Sequence, residues 1–354
     1  MRINRRNFLR TGTIGPTAAA IGALAGSAAP ELAGAVGFDS PAQRPQGFVR
    51  TGDRRAGDAG DRRGGDACGP ARAGHVRVNG QKLYVVTLGR GTPVIFMHGG
   101  LGFDHQYFRP FVDSLARSAQ VVYYDHLGHG RSDRPADFSQ LTLARLSADC
   151  DGLATALGFD KFVLVGHSYG GFIALDFALR FPHRLAGLVL SCTAPDLASF
   201  VLRSPLGGTA AMQAALGQLF AGPAANATDM ALRANWVAAV PLYYNNVSPP
   251  AGVLADVDRR TIYSAAGFNR GNAILAGFDF VPQLSTIKMP TAVHYGAGDI
   301  WRFGDNEKMA RNIPGATLKY FPSSGHWPFQ EEQAAFIAYM RGFVATVDDD
   351  DGEC

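Results

Sequence analysis

The sequence predicts an α/β fold with a mostly parallel sheet, helices on both faces and a mostly helical cap insertion. Short apolar runs rich in β-branched residues alternate with helix-like segments, which is typical of a parallel sheet covered on both faces. The alternation pauses between about Ala194 and Lys288, in an interval rich in Ala and Gly. We interpret this interval as an insertion between two consecutive strands.

The elements follow from this alternation. The predicted strands are Lys82–Thr87, Val94–Met97, Val121–Tyr124, Phe162–Val165, Leu188–Leu190, Thr291–Tyr295 and Thr317–Phe321. The predicted helices are His105–Ser118, Leu143–Leu157, Tyr169–Arg180, Asn306–Asn312 and Glu331–Val344. We therefore assign residues 75–193 and 289–347 to an α/β core and residues 194–288 to a cap.

Residues 1–30 are typical of a bacterial export signal. Arg5-Arg6 precedes an uncharged Ala- and Gly-rich run from Thr11 to Pro30, and Ala25-Gly26-Ser27-Ala28 suits a signal peptidase. Large aliphatic residues are few and Pro16 interrupts the run, which argues against a permanent membrane span. We predict a twin-arginine signal peptide, recognition by the twin-arginine export machinery, and a periplasmic or secreted protein.

The segments that flank the core are polar. Residues 31–74 are dominated at their end by Gly, Asp and Arg, and they bury too little apolar surface to offset the entropy of ordering. We predict a disordered linker there and an acidic tail over residues 348–354.

The composition excludes several classes of function. The chain is 47% hydrophobic and 18% charged, and its net charge of +3 is too small a bias to indicate nucleic-acid binding. The cysteines are Cys68, Cys150, Cys192 and Cys354. Their spacing indicates neither a zinc site nor a disulfide scaffold, although one pair could oxidise outside the cytosol. We expect no metal and no cofactor.

A glycine-flanked serine is the strongest chemical signal. The apolar strand Phe162–Val165 runs into Gly166-His167-Ser168-Tyr169-Gly170, and a helix pattern follows. Such a tight strand-to-helix turn exposes the serine hydroxyl at the carboxyl end of the sheet, beside a helix N-terminus. A role as helix N-cap does not explain the glycine on each side. The pattern therefore predicts that Ser168 is a nucleophile.

A serine nucleophile needs a base and an orienting acid. Among nine histidines, His326 lies in the loop after the last predicted strand, and Asp299 follows the strand before it. The order Ser168, Asp299, His326 is the one expected with a nucleophile elbow. Asp196 follows the strand after the elbow and is an alternative acid. We interpret the remaining polar residues near strand ends as structural: His98, Asp125, His126, His129 and His167.

A glycine loop is predicted to supply the oxyanion hole. Met97-His98-Gly99-Gly100-Leu101-Gly102 ends an apolar strand, and glycine allows backbone N–H groups to approach a reacting carbonyl. We expect the amides of Gly100 and Tyr169 to be the donors. The Gly-x-Gly-x-x-Gly spacing with a downstream acid is absent, so a dinucleotide site is not expected.

These motifs together resemble the α/β-hydrolase fold family, with the proline iminopeptidase-like branch as the nearest in pattern. The resemblance covers roughly His75 to Val347, and Leu101 stands where that branch usually has proline. It implies a mostly helical cap over the site. In that branch, cap carboxylates, usually glutamates, are expected to hold the free amino group of the substrate.

The predicted cap contains no glutamate, and its acids are Asp196, Asp229, Asp256, Asp258 and Asp279. Because a buried ammonium without a carboxylate is costly, we favour an ester or amide of a small, uncharged or apolar compound. The cap aromatics that could line such a pocket are Trp236, Tyr243, Tyr244 and Phe268.

Three functions remain open on these grounds. The first is a serine esterase or amidase that forms an acyl-enzyme. The second is a proline iminopeptidase-like aminopeptidase or amino-acid amidase, which acts on short peptides or amino-acid amides. The third is a cofactor-free haloperoxidase or a non-catalytic, ligand-binding member of the fold, in which the same three residues can persist.

Overall fold

The computed structural model describes residues 71–100, 102–198, 202–203, 207–275, 278–302 and 304–349. The strands are β1 (Arg72–Val78), β2 (Gln81–Leu88), β3 (Pro93–Met97), β4 (Gln120–Tyr124), β5 (Phe162–His167), β6 (Leu185–Ser191), β7 (Thr291–Gly296) and β8 (Thr317–Phe321). They form an eight-stranded sheet in the order β1-β2-β4-β3-β5-β6-β7-β8. The fold class predicted from the alternation is confirmed.

Strand direction decides where the loops emerge. β2 pairs antiparallel with both β1 and β4, whereas all pairings from β4 through β8 are parallel. Every residue of β5 and of β7 is buried, as expected for central strands covered on both faces. The loops that follow β3, β5, β6, β7 and β8 therefore meet at one edge of the sheet, where ligands bind in such folds.

The helices are α1 (Leu143–Ala156), α2 (Tyr169–Arg180), α3 (Ala210–Leu219), α4 (Asp229–Ala239), α5 (Val253–Arg260), α6 (Ala265–Leu275), α7 (Gly304–Asn312), α8 (Pro328–Glu331) and α9 (Gln333–Asp349). Helices α3 to α6 lie between β6 and β7 in the chain, inside the interval predicted to be the cap. Threonine side chains cap three helices by accepting a backbone N–H: Thr142 on α1, Thr209 on α3 and Thr228 on α4.

Two predicted elements need correction. Strand β1 begins at Arg72, so the linker predicted to reach residue 74 ends earlier. Only Val76 and Val78 of this strand are buried, and two apolar residues are too few to indicate a strand in the sequence. The helix predicted over His105–Ser118 is two 3₁₀ turns, His105–Phe108 and Asp113–Arg117. Pro110 lies between them, and proline both lacks an N–H and obstructs a helix interior.

The chain ends differ from the prediction in one respect. Helix α9 continues to Asp349, so the first two residues of the predicted acidic tail are helical. The predicted signal peptide (1–30), residues 31–70 of the linker, Leu101 and the end of the tail lie outside the described residues. Within the described part of the chain, no helix has the length and apolarity needed to cross a bilayer.

Candidate active site

Ser168 lies between β5 and α2, in a backbone conformation that few residues other than glycine adopt. Its φ is 54° and its ψ is −122°. The backbone around it is held in place because its N–H donates to Ser191 O (2.9 Å) and its carbonyl accepts from Thr193 Oγ1 (2.7 Å). Strain of this kind persists only where the surroundings fix it, and it is common at functional sites.

Close backbone packing explains two of the glycines around Ser168. A Cβ on Gly99 would lie 2.6 Å from Ser168 Cβ, and a Cβ on Gly170 would lie 2.3 Å from Met97 O. Any larger residue at either position would push the glycine loop and the serine turn apart.

His326 and Asp299 meet at the same edge of the sheet. Asp299 follows β7 and His326 follows β8, and His326 Nδ1 donates to Asp299 Oδ1 at 2.9 Å. Their side chains are 2% and 0% exposed. Trp301 N donates to the same carboxylate oxygen at 3.2 Å. Ser168 and His326 both line one cavity, so the structure brings together the three residues that chain order selected.

The alternative acid lies in a different environment. Asp196 Oδ2 accepts a hydrogen bond from Lys308 Nζ at 3.0 Å, and its backbone forms a β-bridge with Asp279. The imidazole of His326 is bonded to Asp299, which leaves Asp196 as a residue of the hinge between core and cap.

The residues predicted as oxyanion donors also line the cavity. Gly100 does so with a φ of 58°, and Tyr169 begins α2, where free N–H groups point out of the helix. The backbone amides of Gly100 and Tyr169 thus remain the predicted donor pair for an oxyanion beside Ser168.

A buried chain of hydrogen bonds connects the glycine loop to His326. Gly99 N donates to the Tyr107 hydroxyl, which donates to His167 Nδ1 (3.0 Å), and His167 Nε2 donates to His326 O (2.9 Å). Burial, and next the nearby His326, lowers the pKa of His167 well below its usual value, so the ring stays neutral and can both donate and accept. The sequence did not indicate a role for Tyr107, because its partner His167 is 60 residues away in the chain.

His98, His126 and His129 form a buried cluster, and burial lowers the pKa of each of the three rings. His126 N donates to His98 Nε2 (3.1 Å), and His126 Nε2 donates to His98 O (3.1 Å). Burial lowers the pKa of His126 to about 3. Burial alone would raise the pKa of Asp125, but His105, 2.7 Å away, acts together with His98 and the N–H of Arg131 to lower it to about 2. These residues hold loops, as predicted.

Cys192 is a neighbour of the site that the sequence did not indicate. Its Sγ lies within 4.8 Å of the nearest ligand atoms of Asp299 and His326. Burial, and next the carboxylate of Asp299, raises the pKa of this thiol well above its usual range. Cys192 is therefore a neutral, buried thiol beside the Asp299–His326 pair.

The cavity has a volume of about 390 Å³ and is mainly apolar. Its aromatic lining residues are Phe103, Tyr107, Tyr169, Phe172, Phe220, Trp236, Tyr243, Phe268, Trp301 and Trp327. Trp236, Tyr243 and Phe268 thus lie where they were predicted, but Tyr244 does not. Tyr244 is buried outside the lining, where its hydroxyl donates to Gln330 Oε1 (2.5 Å) and its ring packs on Trp327. Tyr243 ends a 3₁₀ turn, so consecutive tyrosines point in different directions.

Asp258 is the one carboxylate among the described residues that line the cavity. Arg233 donates to both of its oxygens (2.8 and 2.6 Å), and Tyr263 donates its hydroxyl at 2.8 Å. The hydrogen bonds from Arg233 are the main cause that lowers the pKa of Asp258. This carboxylate is ionised and already paired.

Comparison with known proteins agrees with this geometry. The chain matches the family model for the alpha/beta hydrolase fold over residues 92–333. A proline iminopeptidase of Lactiplantibacillus plantarum is 30% identical over 291 residues, 76% of this chain and 99% of that protein. The 2-hydroxy-6-oxo-6-phenylhexa-2,4-dienoate hydrolase of Burkholderia cepacia is 29% identical over 272 residues, 75% of this chain and 91% of that protein.

Among solved structures, an esterase from Exiguobacterium antarcticum superposes with a TM-score of 0.64 at 22% identity, covering 77% of this chain and 98% of the esterase. That likeness concerns the fold. The family match spans most of the chain, and it coincides with the sheet order and with the loops that carry Ser168, Asp299 and His326. This chain belongs to the α/β-hydrolase fold family and is a proline iminopeptidase-like hydrolase.

Proposed function

We propose that this protein is an exported serine hydrolase that cleaves an ester or amide of a small apolar compound through an acyl-enzyme. The observation that carries the proposal is the buried 2.9 Å bond between His326 Nδ1 and Asp299 Oδ1, in a cavity that His326 shares with Ser168 on its strained turn.

The chemistry follows from these positions. His326 Nε2 takes the proton of Ser168 Oγ as the oxygen attacks the carbonyl carbon, and Asp299 holds the imidazole in the required tautomer. The amides of Gly100 and Tyr169 stabilise the oxyanion of the tetrahedral intermediate. His326 then gives the proton to the leaving alcohol or amine. Water, deprotonated by the same histidine, releases the acid from Ser168.

The cavity lining supports an uncharged substrate. Bringing a charged group out of water requires an opposite charge within the site. Among the described lining residues, the carboxylate of Asp258 is bonded to Arg233 and Tyr263, so a substrate ammonium would have to displace an existing ion pair.

A second candidate is an aminopeptidase that acts on short peptides or amino-acid amides. The 30% identity to the proline iminopeptidase of Lactiplantibacillus plantarum favours it. Under this alternative, Asp258 would have to exchange Arg233 for the amino group of the substrate. Arg233 is 55% exposed in its side chain, so such an exchange is sterically open.

The experiment is a labelling assay followed by a substrate panel. We expect a fluorophosphonate probe to label the wild-type protein and not Ser168→Ala, and p-nitrophenyl esters to be hydrolysed faster than aminoacyl-naphthylamides. Faster turnover of the naphthylamides would establish the aminopeptidase instead. Absence of labelling in a folded protein would contradict the acyl-enzyme and leave a non-hydrolytic member of the fold.

Export is a separate part of the proposal and is supported by the sequence of residues 1–30 alone. We expect replacement of Arg5 and Arg6 by lysine to retain the protein in the cytoplasm, as measured by fractionation and immunoblotting. Unchanged export of this double variant would contradict the twin-arginine route.

A further inference from the structure

Three aromatic rings form a continuous surface beside His326. The ring of Tyr243 packs edge-on to that of His326, with centroids 5.3 Å apart. Trp327 stacks on Tyr243 at 6.1 Å and an interplanar angle of 15°. Trp236 of α4 contacts both, at 5.1 and 6.1 Å. All three line the cavity, and we refer to Trp236, Tyr243 and Trp327 as the aromatic wall.

The aromatic wall is fixed to the base rather than only adjacent to it. The carbonyl of Tyr243 accepts a hydrogen bond from His326 N at 2.7 Å. A Cβ on Gly325 would lie 2.4 Å from that carbonyl, so the two segments are in direct contact. A surface held this closely to the catalytic loop loses little entropy when a ligand packs on it.

The direction of proton transfer decides which part of the substrate meets this surface. The base returns the serine proton to the leaving atom, so that atom must lie within hydrogen-bond reach of His326. The acyl part extends the other way, past the oxyanion donors. Phe172, whose ring contacts that of Tyr169, also lines the cavity, and we assign it to the acyl side.

Building on the proposed serine-hydrolase function, we propose that the aromatic wall is the leaving-group subsite and that it selects esters or amides of aromatic alcohols or amines. Aromatic rings gain from offset-stacked and edge-on contacts beyond the burial of area, and a saturated ring of similar size does not. Burial raises the pKa of Tyr243, so its phenol stays neutral and the wall carries no charge of its own.

The test compares benzyl butyrate with cyclohexylmethyl butyrate. Both are esters of primary alcohols with similar volume and similar leaving-group basicity, so intrinsic reactivity contributes little to the difference. For the wild-type full chain we expect kcat/KM to favour the benzyl ester by roughly three- to tenfold, the size of one or two aromatic contacts.

Matched variants test which residues determine the preference for the benzyl ester. Trp236→Leu and Tyr243→Leu remove a ring from the wall and should bring the benzyl-to-cyclohexylmethyl ratio towards one. Tyr243→Phe keeps the ring and should keep the ratio. Phe172→Leu makes the same kind of change on the acyl side, so it should alter the preference for acyl-chain length while leaving the alcohol ratio as in the wild type.

Inhibition of the wild-type protein by the two alcohols tests the subsite without relying on the folding of any variant. Benzyl alcohol should inhibit more strongly than cyclohexylmethanol. A benzyl-to-cyclohexylmethyl ratio near one in the wild type would contradict the leaving-group subsite. So would a ratio that Phe172→Leu abolishes and Trp236→Leu does not. Either result would leave the proposed serine-hydrolase function unaffected. Absence of both hydrolysis and fluorophosphonate labelling would overturn the proposed function itself, and the subsite with it.

Discussion

In the core, the polar side chains of the site are bonded to each other and to the backbone, whereas the cap contributes mainly apolar side chains to the same cavity. The bonds of His326 with Asp299 and of Tyr107 with His167 belong to the core. The cap contributes Trp236, Tyr243 and Phe268, with aliphatic residues of α3 to α6. We infer that the core supplies the reacting groups, and that the cap, together with core rings such as Phe172 and Trp327, shapes the cavity that accepts the substrate.

Polar contacts join the two regions at several places, and two groups of them lie beside the site. Ser264 N donates to Gly102 O and Ile262 N donates to Asp104 Oδ2, both at 2.8 Å. On the opposite side, the carboxylate of Glu331 accepts from Asn245 N of the cap (2.8 Å) and from Gly325 N of the core (2.7 Å). These two groups lie on or beside the glycine loop and the His326 loop, which are the two loops that the proposed reaction uses.

The largest effect on activity is expected when a core residue of the site is replaced. We expect Ser168→Ala to lower turnover by about 10³ or more on every substrate, and His326→Ala to do similar damage, because the three residues act as a unit. Asp299→Asn should cost somewhat less, since nucleophile and base remain. Steady-state kinetics on a p-nitrophenyl ester measures all three.

The double variant Ser168→Ala/His326→Ala should be little worse than either single variant. Losses that multiply would show that the two residues act independently. Circular dichroism of each variant checks the fold, since Asp299 also holds its loop through Trp301 N.

The glycine loop offers the next largest effect. Gly100→Pro removes an N–H donor and is incompatible with a φ of 58°, so turnover should fall by about 10² to 10³. The matched control is Gly342→Ala in α9, where an added Cβ meets nothing within 4 Å and the helix gains a better helix former. Near-normal turnover of a folded Gly100→Pro variant would assign the oxyanion donor to another amide.

Glu331, which contacts both regions, should make the free energy of unfolding depend on pH. Burial raises the pKa of Glu331 from 4.5 to about 7. The folded state therefore holds this proton more tightly than the unfolded state, so the stability that it contributes is complete below about pH 4.5 and is lost as the pH rises through about 7.

We expect urea unfolding at pH 5 and pH 8 to show a smaller difference for Glu331→Gln than for the wild type. Glu307→Gln changes a half-buried carboxylate of α7, whose side chain is 36% exposed, and should leave that difference nearly unchanged. Identical pH dependence of Glu331→Gln and the wild type would mean that other groups govern the junction.

The smallest effect is expected at Cys192. Because it is 1% exposed and its thiol pKa is raised, iodoacetamide should leave the activity of the native protein unchanged. Mass spectrometry after unfolding should find Cys192 alkylated. Rapid inactivation that a bound inhibitor prevents would show instead that the thiol is reachable from the cavity.

The sequence predicted best what depends on strand order. Ser168, Asp299 and His326 each follow a strand, and parallel strands bring their carboxyl ends to one edge. Tyr107, Cys192 and the ion pair of Asp258 depend on packing between distant parts of the chain, such as the 60 residues that separate Tyr107 from His167. No local pattern encodes such contacts.

The wrong predictions have physical causes as well. Tyr244 has the same side chain as Tyr243, and only the path of the backbone after the 3₁₀ turn directs it away from the cavity. Strand β1 carries the exposed residues Arg72 and Arg77, so its composition resembles that of the linker before it. In both cases residue type alone did not distinguish the alternatives.

The hydrogen bond from His326 N to Tyr243 O has a consequence for the evolution and engineering of this protein. A main-chain carbonyl is supplied by any residue at that position, so the sequence of the cap can diverge widely without losing it. The length and path of the segment that carries this carbonyl cannot diverge in the same way. Exchanging caps between relatives should therefore succeed only where the graft presents a carbonyl at the same place, and the transferable unit ends at this contact rather than at the hinges.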